Sequence, residues 1–135
     1  MATLQHLFYI STSVDLLDNT NGFCFVFNDS ENVNANAESQ LMIERLVQNG
    51  MSLNVQETYI LKVRKNEMIK LPQNANNIIL FGIEPKQLSL NIKKNINSIM
   101  LVNQKQYLYT NDAFEISKDV NKKKLFWEEL SKMRL

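Results

Sequence analysis

Cysteine, histidine, glycine and proline are all scarce in this chain of 135 residues. Cys24 is the only cysteine and His6 the only histidine. An intramolecular disulfide is therefore impossible, and a zinc site, which needs several Cys or His ligands, is not expected. The 3 glycines are Gly22, Gly50 and Gly82, too far apart for a GxGxxG or GxxxxGK[ST] phosphate cradle. There is no GxSxG elbow for a serine nucleophile, and His6 has no partner motif. No stretch approaches the ~18 apolar residues of a membrane span. The opening MATLQHLFYI lacks the basic start and long apolar run of a signal peptide, so a cytoplasmic protein is expected. Charge of one sign is missing too: the formal net charge is +1, whereas a dedicated duplex binder is normally clearly basic.

What remains is an apolar fraction of 44%, enough for a core, in a length that suits a single domain over residues 1–135. Leu4, Leu7 and Phe8 stand at i, i+3, i+4 and predict a short first helix, which the β-branched ISTSV then weakens. GFCFVFND carries an apolar run, residues 23–27, between turn formers; this predicts a strand buried on both faces. Residues 28–36 read as a polar loop. AESQLMIERLVQNG predicts a helix with a wide apolar stripe of Leu41, Met42, Ile43, Leu46 and Val47, closed by Asn49-Gly50 as a C-cap pair. Strands are predicted at residues 57–63 and 77–82, separated by a short connection or single helical turn that stops at Pro72. EPKQLSLNI reads as loop. SIMLVNQKQYLYT predicts one strand and its approach, or an extended pair with residues 103–105 as its polar middle. Residues 112–117 read as irregular or one turn. Asp119 is a plausible N-cap for a last helix. Strands alternating with helices give an α/β sheet with helices on its faces, without internal repeat.

Candidate chemistry is thin. Cys24, inside a strand, reads as a small buried apolar residue rather than a reactive thiol. Asp29-Ser30-Glu31 reads as a solvated loop before a cation site. Glu128 and Glu129 are neighbours on a helix and point apart, which suits no acid–base pair. Asn28, Asp29 and Glu84 follow strands, but form no recognised catalytic set. Lys62, Arg64 and Lys65, the pair Lys93 and Lys94, and the run Lys122, Lys123 and Lys124 would contact phosphates only if they shared a face. The last helix holds the only tryptophan, Trp127. Phe126, Leu130 and Met133 make an i, i+4, i+7 stripe with Trp127 at its flank. Most lysines fall on the outer face, in i, i+4 pairs with Glu128, while Lys123 stands one turn before Trp127 and can cover its ring with its stem. Packing in the core, or against a partner protein, is the expected role of Trp127.

LFWEEL, residues 125–130, resembles the apolar-Trp-Gln/Glu helix that ends the psi subunit of bacterial DNA polymerase III holoenzyme. In the same order, LQHLFYI resembles that family's leading segment and GFCFVFND a strand ending in Asn-Asp. ESQLMIERLVQNG resembles the helix that follows. ETYILKVRKNEMIKLPQNANNIILFG resembles a strand, a turn ending Leu-Pro-Gln and the next strand; LYTNDAFEISKDV resembles the approach to the last helix. NIKKNINS, residues 91–98, stands outside the pattern, and only residues 1–3 precede the first apolar face. The resemblance implies a three-layer α/β/α domain around a small, mostly parallel sheet, similar to the uracil-DNA glycosylase-like fold, whose Asp-Pro-Tyr and His loops are absent here. It implies no enzyme activity and no cofactor or metal. It implies an adaptor that joins clamp-loader subunits and holds a chi-like protein, itself in contact with single-stranded-DNA-binding protein. Nucleic acid would then be reached only indirectly. Leu4, Leu7 and Phe8 are the candidate partner contacts, the alternative being that they close the core. Two alternatives compete: a small glycosylase-fold enzyme using Asn28, Asp29 and Glu84, and a direct single-strand binder using the lysine clusters with Phe8, Tyr9, Tyr107 and Tyr109.

Overall fold

A computed structural model describes residues 11–12, 16–90 and 95–133. Its centre is Phe23–Asn28 (β2), the FCFVFN run read as doubly buried. Alternation sends Phe23, Phe25 and Phe27 to one face and Cys24 and Val26 to the other, and all five are buried. Tyr59–Val63 (β3) and Asn77–Phe81 (β5) pair with it in parallel on either side. Lys105–Thr110 (β7) is parallel to β5, and Ser98–Val102 (β6) closes that edge antiparallel to β7. The order β3-β2-β5-β7-β6 is a mostly parallel five-stranded sheet with flanking helices. A separate parallel pair joins Ser11–Thr12 (β1) to Met68–Ile69 (β4).

The described helices are Val33–Arg45 (α1), Ala113–Lys118 (α2) and Val120–Leu130 (α3). All three contribute to the core on the phenylalanine face. There Ile43, Val47, Ala113, Ile116, Phe126 and Leu130 pack on Phe25, Phe27, Ile79, Phe81 and Leu108. Phe126 meets Phe81 edge-on, with ring centroids 5.3 Å apart and planes at 63°. On the opposite face Cys24, Val26, Ile78, Leu80 and Tyr107 are covered by Ile69 of β4, Ala75, Ile83 and half-buried leucines such as Leu17, Leu71 and Leu88. Among the described residues that cover is built from β4, the 3-10 turn Pro85–Leu88 and connecting chain, not from an α-helix.

Several sequence expectations need correction. Residues 28–36 are not all loop: α1 starts at Val33, because Asn32 accepts from the Asn34 and Ala35 amides and caps it. The connection after β3 holds the short strand β4 rather than a helical turn, since Met68 and Ile69 find partners in Ser11 and Thr12. The segment EPKQL is a capped 3-10 turn, not loop: Glu84 and Gln87 form a capping box across it. Residues 112–117 form most of α2, capped by the Asp112 carboxylate on the Phe114 amide at 3.1 Å. Asn49-Gly50 does not close α1 as a left-handed cap. The helix widens into a π-turn, Leu46–Gly50, and the glycines with positive φ are Gly22 and Gly82. SIMLVNQKQYLYT is the extended pair, turned at Asn103 and Gln104 with φ of 50° and 67°. Positive φ at both positions gives the twist a two-residue hairpin needs. Asparagine takes this left-handed region also at Asn66 and Asn97, a use that suits a chain so poor in glycine. The first helix, with Leu4, Leu7 and Phe8, lies outside the described residues.

Candidate interaction surface

In a parallel sheet whose order doubles back, the crevice beyond the carboxyl ends at the switch point is the first place to look for a ligand. Here that point lies between β2 and β5, with the end of β7 beside them. It brings together Asn28, Asp29, Gly82, Glu84 and Asp112. Their polar groups are spent on one another and on the backbone. The Asn28 amide donates to the Gly82 carbonyl at 2.9 Å, and the Gly82 amide donates to the Thr110 carbonyl at 3.0 Å. Asn36 donates to the Asp29 carboxylate at 2.8 Å, and Arg64 approaches its other oxygen at 3.9 Å. Asn36 also accepts from the Ser30 amide at 2.9 Å, so Asp29-Ser30-Glu31 is a turn tied to the start of α1. Glu84 belongs to the capping box. Gln87, buried, donates to the Arg64 and Glu67 carbonyls at 3.0 and 2.9 Å, stapling the 3-10 turn to the end of β3. Among the described residues no group of three His, Cys, Asp or Glu side chains could hold a metal ion, and no helix is long and apolar enough to cross a membrane. His6 lies outside them.

Cys24 is fully buried in β2, and that burial pushes its thiol up to about 12, against the opposing charge of Lys105. The Lys105 ammonium donates to the Gln73 carbonyl at 2.9 Å and to that of Ala75. Such a thiol is inert at neutral pH. Tyr107 is buried on this same face, and burial, then the neighbouring Cys24, raises its phenol. The stacking platform proposed from Phe8, Tyr9, Tyr107 and Tyr109 therefore has one member inside the core, while Phe8 and Tyr9 lie outside the described residues.

A concave feature lies on the other face, that of the phenylalanines. α1 and α3 lie on the sheet so that a trough of about 510 Å³ runs between them. Leu41, Met42 and Leu46 of the α1 side form one wall, and Phe126 and Trp127 of α3 the other. The wide stripe read from ESQLMIERLVQNG thus splits. Ile43 and Val47 are fully buried in the core, whereas Leu41, 44% exposed, and half-buried Met42 and Leu46 turn toward the trough. Trp127 is half-buried against the core cluster, and its ring abuts the π-turn. A Cβ on Gly50 would stand 3.2 Å from Trp127 Cζ3 and 3.4 Å from Cη2, so Gly50 serves to admit the indole. The sequence contains both residues, but 77 positions separate them and no local signal joins them.

Polar groups also line the trough: Glu38, Arg45, Asn49, Ser117 and Lys123. Glu38 is held by Lys118 at 2.6 Å. Arg45 and Lys123, both exposed, make no ion pair with any described residue. The other lysines of this region are engaged differently from the expected Glu128 pairs. Lys122 reaches across to Glu115 of α2 at 3.2 Å, and Lys132 pairs with Glu129 at 3.0 Å. Exposed pairs of this kind contribute only about 0–1 kcal/mol each. The basic run therefore does not present one face: Lys122 turns to α2, and Lys123 turns to the tryptophan. Lys62, Arg64 and Lys65 stand at the β3 edge, and Lys93 and Lys94 are outside the described residues.

Fold and surface together define a small α/β domain with an apolar, cation-flanked trough between two helices. No family model matches the chain, and no match was found among curated proteins or among solved structures.

Proposed function

We propose that this chain is a non-catalytic adaptor of a replicative DNA polymerase, a psi-like subunit that links clamp-loader subunits to a chi-like partner at single-stranded-DNA-binding protein. The observation that carries the reading is the ordered run of resemblances along the chain, ending in LFWEEL on α3. The reading takes the family's three-layer α/β/α fold, with its likeness to uracil-DNA glycosylases, as the setting of this five-stranded sheet, and the cytoplasm as its place of work. Leu4, Leu7 and Phe8 are its contacts for the clamp loader. Two features support an adaptor over the competing readings. The polar groups at the switch point, which a glycosylase-like enzyme would need to turn toward a substrate, are engaged in capping and stapling the fold. The lysine run divides between an ion pair with α2 and the trough, instead of lining a continuous track for a phosphate backbone.

Mixing the purified chain with purified clamp-loader subunits and a chi protein, then separating by size, tests the proposal. Co-elution as a stoichiometric complex at micromolar concentration is expected. Elution apart from every replication protein would refute it.

A further inference from the structure

The trough between α1 and α3 has the dimensions and chemistry of a helix seat. On the α1 side its lining residues run from Glu38 to Asn49, a rise of ~16 Å at 1.5 Å per residue, or about three helical turns. Leu41, Met42, Leu46, Phe126 and Trp127 supply its apolar lining. A partner helix laid there would offer side chains at i, i+3 or i+4, and i+7. Its charge is set by what flanks that lining. Glu38 is neutralised by Lys118, while Arg45 and Lys123 have no carboxylate partner among the described residues. In a chain whose net charge is only +1, these cations are a local, uncompensated feature of the trough walls.

We infer that this trough binds an acidic amphipathic helix of a partner protein, with apolar side chains on Met42, Leu46 and Trp127 and carboxylates on Arg45 and Lys123. Complementary charge would fix the register and direction of the helix, and the indole would provide a large, rigid contact. Single-stranded DNA fits less well. The ring is wedged against Gly50 rather than displayed for stacking, and two separated cations make no backbone track. The inference rests on the adaptor reading only in its general form, a chain that works by holding another protein. It names a surface and a partner chemistry that the replication reading leaves open.

The sole tryptophan lines the seat, so its emission reports occupancy directly. The experiment is a selection of displayed random amphipathic 14-residue helices against the full chain. The best binders are then synthesised and titrated against Trp127 fluorescence. Expected are sequences rich in Asp and Glu flanking the apolar stripe, and a shift of Trp127 emission on binding. The exposed double variant Arg45→Glu with Lys123→Glu should bind at least tenfold more weakly, and peptides with Glu replaced by Lys should recover that loss. Circular dichroism on the variant checks that the fold is retained. Enrichment of nothing, or of helices without acidic bias, would overturn the inference. So would binding that leaves both Trp127 emission and the double variant's affinity unchanged. A (dT)20 oligonucleotide that shifts Trp127 emission and displaces the selected peptides would overturn it in favour of single-stranded DNA. A trough that passes while the clamp-loader reconstitution fails would retain the helix seat and refute the replication assignment; the reverse pair of results would do the opposite.

Discussion

Replacing Gly82 by alanine should loosen the whole domain, and the cost can be worked from the geometry. Gly82 follows β5 with φ of +66°, where an L-residue costs roughly 1–2 kcal/mol. The added Cβ would stand 3.3 Å from the Asp112 Cα and 3.2 Å from Asn28 Nδ2. The first is backbone, and Asp112 cannot retreat without disturbing its cap on α2. The second belongs to the amide that donates to the Gly82 carbonyl at 2.9 Å, a bond worth about 0.5–1.5 kcal/mol net. Overpacking of such a site costs ~1–3 kcal/mol. Against this stands a gain of about 0.4–1 kcal/mol from the stiffer unfolded chain. The balance is a loss of about 2–4 kcal/mol. Urea unfolding followed by Trp127 fluorescence would show it as a lower midpoint at unchanged slope. Asn28→Ala in the same background should return part of the loss, because it clears the space the methyl needs; the two changes would then be less than additive. An unfolding free energy within about 1 kcal/mol of the parent's would refute the claim that the carboxyl ends of β2, β5 and β7 are closed by tight mutual contacts.

Other consequences follow from burial and capping. Phe126→Ala removes a ring that is 1% exposed and edge-on to Phe81, so a loss of ~3–5 kcal/mol is expected in the same unfolding assay. Asp119→Ala removes the acceptor for the Asn121 and Lys122 amides, and should cost ~1 kcal/mol with fraying of α3 visible in amide exchange. Cys24 should resist iodoacetamide at pH 8 in the folded chain and react on addition of urea; fast labelling of the native chain would contradict its burial. Because its thiol is raised from 9.0 to about 12, the unfolded chain loses that proton first, and the stability tied to Cys24 is lost as pH rises between those values. Cys24→Ser should flatten that part of the pH profile.

The parallel core was readable because its strands are buried on both faces. FCFVF and NIILF are continuous apolar runs, and such runs mark interior strands. The starts of elements were less readable, because they are made by polar residues acting locally. Asn32 looks like loop until its side chain is seen on two amides, and Asp112 likewise hides α2. The pairing of Ser11 with Met68 is a long-range event with no local periodicity to announce it. The trough was invisible for the same reason. Leu41, Met42 and Leu46 were legible as part of a wide stripe, but which of them faces the core depends on where α3 lies. Trp127 packs against the core cluster, and Gly50, at the end of the helical run, makes the space for its ring, a contact that no local pattern announces. Spacing alone placed Lys123 beside the ring, and the trough contains both.

The adaptor reading is tested most directly by recovering partners from native extract with the tagged chain as bait, under nuclease, and identifying them by mass spectrometry. Clamp-loader subunits are expected, with single-stranded-DNA-binding protein arriving through a bridging protein, retained at salt concentrations that strip nucleic acid. Recovery of no replication protein, or only of nucleic acid released by salt, would contradict it.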